Sequence, residues 1–317
     1  MKSKILFVFV LAISLAPAAL RAEEGGSGHY LPGATASFID ALPGREALAY
    51  LNAFTYYNGS AGASRPLVLG REIVLNVDAT VYADTSILLY QTPWKILGGQ
   101  YAAAVAIPFL WMEVEGNVQG GRITGKRRDT VNGFGDILIL PLMFGWKKGD
   151  VSYGATFGVY APTGDYEQGR LANLGKNYWT FEPGASVSWL SSKIGTEASA
   201  FAGFDFSTRN DKTDYQSGDV FHLDATVAQH LPLFGGFAGV GANGFYYQQI
   251  SSDSGSGAAL GDFEGRTVGV GPVLSYAAKI GRNTKADLAA EVKWLPELDA
   301  EKRLKGDTVW FKLALLF

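Results

Sequence analysis

The feature that most constrains this chain is a repeated zigzag. From Ile73 to Leu89, one side reads Ile73, Leu75, Val77, Ala79, Val81, Ala83, and the other Asn76, Asp78, Thr80, Tyr82, Asp84, Ser86. Side chains that alternate with period two belong to a β-strand, because successive Cβ atoms point to opposite faces. Trp179–Trp189 repeats the pattern, with Phe181, Val187 and Trp189 set against Glu182, Ser186 and Ser188. Phe221–Leu231 and Leu288–Trp294 do the same. Beyond the first residues, no apolar run reaches the ~18–20 residues that a spanning helix needs. Each strand therefore has a greasy face that something must cover.

Composition narrows what covers it. The chain has 317 residues, with 40 Gly, 19 Phe, 15 Tyr, 7 Trp and no Cys. A disulfide scaffold is excluded, and 13% aromatic residues argue against disorder. Only 18% of residues are charged and the formal net charge is −3, so no nucleic-acid partner is expected. Residues 1–22 read as an export signal: Lys2 and Lys4 precede the apolar stretch Ile5–Leu20, and Ala22 suits a cleavage site. Losing that segment removes Lys2, Lys4 and Arg21 and no acid, which leaves a mildly acidic exported chain.

An exported, aromatic-rich β-chain is either a soluble sandwich or an outer-membrane barrel, and the connections discriminate. The zigzags and turn signals predict twelve strands, near 49–58, 73–90, 100–114, 134–147, 151–162, 178–190, 196–208, 219–230, 237–250, 266–279, 285–295 and 307–317. Short turns at 147–150, 191–195, 231–236 and 281–284, with 92–99 slightly longer, alternate with long polar loops at 59–72, 115–133, 163–177, 209–218, 251–265 and 296–306. That segregation predicts an all-β fold, a transmembrane up-and-down antiparallel β-barrel of about twelve strands.

The tryptophans fit two interfacial girdles. Trp94, Trp146 and Trp189 fall at the short-turn end, and Trp111, Trp179, Trp294 and Trp310 towards the long-loop end. The last segment, GDTVWFKLALLF, puts Val309, Phe311, Leu313, Leu315 and Phe317 on one face. An alternating final strand ending in Phe317 resembles the signal that bacterial barrel-assembly machinery reads. It must also pair with the first strand to leave no sheet edge.

The chain resembles the outer-membrane proteins of the meta-pathway of phenol degradation family, the SphA-like group. The resemblance is carried by GHYLPGATASFIDALPG at 28–44, APTGDYEQGRLANLGKNYWTFEPGASVSWL at 161–190, SGDVFHLDATVAQ at 217–229, GFYYQQISSDSGSGAALGDFEGRTVGVGP at 244–272 and KADLAAEVKW at 285–294. It implies a barrel with a transport role linked to aromatic or hydrophobic compounds. The last loop, LPELDAEKRLKG at 295–306, departs from the family by lacking an Asn-Arg pair before its glycine.

Charged side chains cannot face hydrocarbon cheaply, at about 2–4 kcal/mol for Lys or Arg near the midplane. The zigzag therefore assigns Asp78, Tyr82, Glu182, Asp205, His222, Asp224, Asn243, Tyr247, Glu291 and Lys293 to the lumen. Asp84, Gln249 and Lys312 go with them, the mixed signs implying internal ion pairs. The third and fourth strands are apolar on both faces, so Leu110, Met112, Ile139 and Met143 are also expected inside, as a greasy path. Small residues such as Gly154, Gly158, Gly184 and Gly203 would leave space between the walls. Residues 23–48 are too rich in Gly and Pro to be strand; they form either a plug in the barrel mouth, over the apolar patch, or a periplasmic extension.

No catalytic constellation emerges. The histidines are His29, His222 and His230; no G-x-S-x-G elbow or H-E-x-x-H motif occurs, and neither cofactor nor metal is expected. His222 and Asp224, two apart on one face, are expected as a hydrogen-bonded lumenal pair. The loop 251–262 lacks calcium-loop spacing. Lys126, Arg127 and Arg128 sit in an outer loop, where lipopolysaccharide phosphates are one partner and solvent the other. The expected function is passive passage of small hydrophobic or aromatic solutes through the outer membrane. The alternative is a closed barrel whose loops bind partners.

Overall fold

The computed structural model describes residues 26–42, 44–63, 67–69, 72–119, 125–260, 264–280 and 286–317. The export segment and the expected turn at 281–284 lie outside them. Among the described residues, one 14-stranded antiparallel sheet closes on itself. Its strands are β1 (Ala47–Ala61), β2 (Leu67–Leu69), β3 (Glu72–Ile96), β4 (Gly99–Gln119), β5 (Gly125–Phe134), β6 (Ile137–Lys148) and β7 (Val151–Ala161). They continue as β8 (Thr180–Leu190), β9 (Thr196–Ser207), β10 (Val220–Leu233), β11 (Gly236–Gln249), β12 (Arg266–Ile280), β13 (Ala286–Glu301) and β14 (Lys305–Leu316).

These make a 12-strand barrel wall. β2 only extends β3 above the wall, and β5 and β6 share one position: β4 pairs with β5 from Phe109 to Val118 and with β6 from Gln100 to Ala106. Closure comes from β1, which pairs with β14 from Ala49↔Leu316 to Ser60↔Lys305 and with β3 on its other side. Closure is physically required, because an open edge would present unpaired N–H and C=O groups to hydrocarbon.

The exterior is greasy where the zigzag put it. Phe181, Val187, Phe204, Val227, Leu274, Val292 and Phe311 are exposed, whereas Glu182, Asp205, His222, Asp224, Glu291 and Lys312 on the opposite faces are buried. Six tryptophans point outward in two tiers. Trp310 does not: it is 5% exposed and packs inside with Ala53, Phe245 and Leu295. Its place in the expected girdle is corrected by its parity with inward Lys312 on β14.

Two expected loops are strand. β4 runs on to Gln119 and returns as β5, so most of the 115–133 loop is a hairpin above the membrane. Its inner face packs Val114, Val118 and Val131 against Leu171 and Ala172 of the long connection, while Glu113 and Glu115 point away, and the charged run Lys126–Asp129 hid the returning strand. Lys126, Arg127 and Arg128 lie on it and form ion pairs: Lys126 and Arg128 with Glu115, and Arg127 with Asp129 (2.9 Å). β13 likewise continues to Glu301, which shortens the last connection to residues 302–304.

Four assignments to the lumen are corrected. On β3 the inward face is Val77, Ala79, Ala83 and Leu89, so Asp78 and Tyr82 point outward, Tyr82 at 43% exposure. Asp84 shares that outward face. Polarity misled here because the outward polar groups of β3 hydrogen-bond to β1, and small apolar residues face inward under a covering loop. On β6, Ile139 is 41% exposed and points outward. A register shift between Ile139 and Leu142 breaks the zigzag, so Leu140 and Met143 both pack inward.

Candidate functional site: the lumen and its N-terminal segment

Residues 26–42 and 44–46 run through the barrel from the long-loop end to the short-turn end. Gly26 lies beside Leu67 and Arg303 at one end, and Arg45 reaches Asp287 and Glu46 reaches Tyr90 at the other. Between them His29, Tyr30, Thr35 and Asp40 each meet a polar residue of the wall. The Gly and Pro that exclude a strand let the chain fold back on itself inside the barrel.

At the top, Nε2 of His29 donates to Asp136 (2.9 Å), and its Nδ1 lies 2.8 Å from Thr180 Oγ1. Its ring stacks on Tyr160 at 4.8 Å. Asp136 also accepts the backbone N–H groups of Gly164 and Lys176, tying the 162–179 connection to the same point. Lys176 Nζ donates to the backbone oxygen of Ser27 (2.7 Å).

At mid-height the segment closes on Asp224. Its Oδ2 accepts the Tyr30 hydroxyl (2.5 Å), the Thr35 N–H (3.0 Å) and the Thr35 hydroxyl (3.1 Å); its Oδ1 accepts the Gly33 N–H (3.1 Å). Gly33 must be glycine: its φ is +81°, and a Cβ would come within 2.1 Å of Leu295 Cδ1. Lys293 Nζ donates to the backbone oxygens of Gly33 (3.3 Å) and Thr35 (3.0 Å).

Lower down, Ser37 and Asp40 form a capping box around the 3-10 turn Phe38–Asp40. Lys312 Nζ lies 2.7 Å from Asp40 Oδ1 and 3.6 Å from Glu291 Oε1; Lys293 Nζ is 3.3 Å from the same Glu291 oxygen. Two buried lysines thus straddle one buried glutamate, and the segment supplies Asp40 as a second acid. Phe38 meets His230 edge-on at 5.1 Å, while His230 bonds Glu197 (2.7 Å).

His222 and Asp224 are not the expected pair. Asp224 turns to the segment, and the carboxylate beside His222 is Asp205, Oδ1 to Nε2 3.6 Å. Tyr30 lies flat on the imidazole, centroids 3.6 Å apart. Gly203 makes the room, since a Cβ there would sit 2.5 Å from the His222 ring. Glu182 accepts the Tyr160 hydroxyl (2.8 Å) and completes a group with Asp205 and His222 whose ligand atoms lie within 4.8 Å of one another. Among the described residues this is the grouping with metal-ligand spacing, and sequence spacing did not disclose it because three different strands supply it.

The apolar residues have two covers. Met112 packs beneath the long connection, in a cluster with Val77, Ala79, Leu171 and Ala172, and Leu110 approaches Gly135 near Leu174. Leu140 and Met143 instead pack against Ala49, Leu89, Ala102 and Ala104, the cluster on which Leu42 of the N-terminal segment also rests. Asn243 donates to Thr226 (2.7 Å), and Tyr247 is buried beneath Arg303, 4.1 Å from its ring centre. In the 251–262 loop, Asp253 accepts from Tyr215, Gly218 and Gln249, so its oxygens serve the loop fold.

Sequence reading brought Glu182, Asp205, His222, Asp224, Asn243, Tyr247, Glu291 and Lys293 to one lumen. It missed their partners Tyr30, Thr35 and Asp40, and also Tyr160 and Asp136. The available signal was polar and aromatic residues embedded among the glycines of 28–44.

The fold is similar to that of an outer membrane channel from Pseudomonas putida F1, at 15% identity and a TM-score of 0.60, covering 91% of this chain and 100% of that one. The β domain of the Bordetella autotransporter BrkA aligns at 12% identity, a TM-score of 0.46, and 86% and 99% coverage. No curated protein matches the chain in sequence. The family model for the MetA-pathway of phenol degradation matches residues 63–313, most of the chain, which therefore belongs to that family.

Proposed function

We propose that the chain is an outer-membrane channel for small hydrophobic or aromatic solutes, passing them by diffusion, and that residues 26–46 form a plug holding it shut at rest. The export reading of residues 1–22 belongs to this proposal. The observation that carries it is the mismatch between the wall and its filling. Wall side chains cover the inward glycines of β7, β8 and β11, as Phe201 covers Gly184 and His230 covers Gly239. The interior beyond them is occupied by a separate segment held by hydrogen bonds and ion pairs to Asp136, Asp224, Lys293 and Lys312. A permanently closed small barrel would fill itself with its own side chains.

With the segment displaced, one wall would offer Glu182, Asp205, His222, Asp224, Asn243 and Tyr247. Leu140 and Met143 would be uncovered opposite, continuous with Leu110 and Met112. A lumen polar on one side and apolar on the other suits a solute with a ring and a polar substituent. The relative from Pseudomonas putida, itself named a channel, supports this reading at the level of fold.

The full burial of His222, Asp224, Tyr247 and Lys293 favours a second reading, a barrel that does not conduct. Planar-bilayer recording separates the two. Deleting residues 23–45 should raise single-channel conductance, and an aromatic acid should reduce the ionic current. A deletion variant that assembles but conducts no better than the full chain would overturn the plug, and one that assembles but passes no current would overturn the channel reading.

A further inference from the structure

The outward face of β1 and β3 is unlike the rest of the wall. On β14, one neighbour of this pair, the outward residues are Val309, Phe311, Leu313 and Leu315; on β4, the other neighbour, they are Val105, Ile107, Phe109 and Trp111. Between these apolar flanks, β1 presents Asn52 and Asn58 beside Tyr50 and Phe54, and β3 presents Thr80, Asp84 and Ser86 beside Tyr82 and Leu88. Asn52 Nδ2 donates to Asp84 Oδ1 (2.5 Å), Tyr50 and Ser86 share a hydroxyl bond (3.1 Å), and Asn58 donates to Thr80 (2.9 Å).

The depth of this stripe matters. Tyr82 stands in register with Tyr56 on one side and Trp111 on the other, which marks the upper aromatic ring. Tyr90 and Trp94 mark the lower ring on the same strand, at 46% and 64% exposure. Asp84 and Ser86 lie between, with Asn52 beside them, inside the hydrocarbon belt. The pair bond engages one carboxylate oxygen and one amide hydrogen. That leaves Asp84 Oδ2 and the second N–H of Asn52 to be satisfied on a face where lipid tails offer neither donor nor acceptor, and an unsatisfied polar group there costs several kcal/mol.

We propose that this stripe is a twofold contact between two copies of the chain within the membrane. Only another membrane-embedded surface reaches that depth. The stripe is also self-complementary: it holds a free acceptor and a free donor side by side, so rotation by 180° sets each Asp84 against the other copy's Asn52 amide. An isologous interface requires this property, and a patch of one sign would lack it. The apolar flanks on β4 and β14 extend the contact.

The absence of cysteine makes a direct test available. Ser86→Cys should give a disulfide-linked band of twice the monomer mass on oxidation in native outer membranes. Val227→Cys, outward on β10 and 61% exposed, is the control on a distant part of the wall. In nanodiscs, native mass spectrometry should show dimers for the unmodified protein, and Asp84→Leu should weaken the association at least about tenfold. Asp84→Asn, which keeps shape and hydrogen bonding, should weaken it less. Equal cross-linking at both positions, a monomeric unmodified protein, or cross-links mainly to a different protein would each overturn the proposal. The cross-linking arm retains Asp84, so it decides the matter even where the leucine variant fails to assemble.

Discussion

Tyr30 lies against His222 with ring centroids 3.6 Å apart and planes 15° from parallel, while its hydroxyl reaches past the imidazole to Asp224. One residue of the N-terminal segment thereby covers a buried histidine and satisfies a buried acid on the same strand. The contact joins residues nearly two hundred positions apart in the chain.

Asp224→Ala removes the acceptor for four donors of residues 30–35. A buried donor stripped of its acceptor costs about 1–3 kcal/mol, so the segment should detach well before the barrel unfolds. Expected are larger single-channel conductance and proteolytic cleavage within residues 26–46, with the heat-modifiable gel mobility of the barrel unchanged. Cleavage no faster than in the unmodified protein would refute this.

Gly33→Val should act at the same place by a steric route. A left-handed φ of +81° disfavours any side chain, and Leu295 leaves no room for one. Because no wall charge is altered, the increase in conductance should match that of the Asp224 variant without its change in ion selectivity. Reversal potentials in a salt gradient measure the difference.

Lys293→Met strips Glu291 of one of its two lysines and leaves the backbone oxygens of Gly33 and Thr35 without their donor. Breaking a buried pair costs about 3–5 kcal/mol. Guanidinium unfolding followed by gel mobility should shift by that order. The double variant Lys293→Met with Glu291→Leu should recover part of the loss, since no buried anion then lacks its partner.

Above the membrane, hydrogen bonds from Lys126 and then Arg128 hold the Glu115 carboxyl below the usual glutamate range. A depressed carboxyl contributes stability above its unfolded value, near 4.3, and loses it as pH falls through the lower folded value. Protection of the β4–β5 hairpin against hydrogen exchange, corrected for intrinsic rate, should therefore persist at neutral pH and decline below about pH 4. The same titration of Glu115→Gln should show a weaker hairpin with a flatter acid response.

Much of the barrel was legible because hydrocarbon imposes a simple rule on sequence. Where β8 to β11 face lipid on one side and the lumen on the other, Phe181 against Glu182 or Leu223 against Asp224 fixes both strand and face. The rule lapses wherever its cause is absent. The β4–β5 hairpin lies beyond the hydrocarbon: Val114, Val118 and Val131 pack under Leu171 and Ala172, and the charges of Glu113 and Arg128 on the other face meet no lipid, so the run Lys126–Asp129 did not read as strand. The inward face of β3 is covered by Leu171 and Ala172, which lets Val77 and Ala79 point inside and leaves Asp78 and Tyr82 outside. At Pro141 a register shift reverses the parity, carrying Met143 inward and Ile139 out.

Strand number, closure and the mostly apolar exterior follow from the chain alone, since alternation and turn spacing are local properties that the membrane enforces wherever a strand has lipid on one face and the lumen on the other. Which lumenal groups meet, and across what, is decided only by the closed barrel. Asp224 is paired with Tyr30, Asp205 with His222 and Lys312 with Asp40 because curvature brings distant strands around a threaded segment, and no spacing along the sequence encodes that distance.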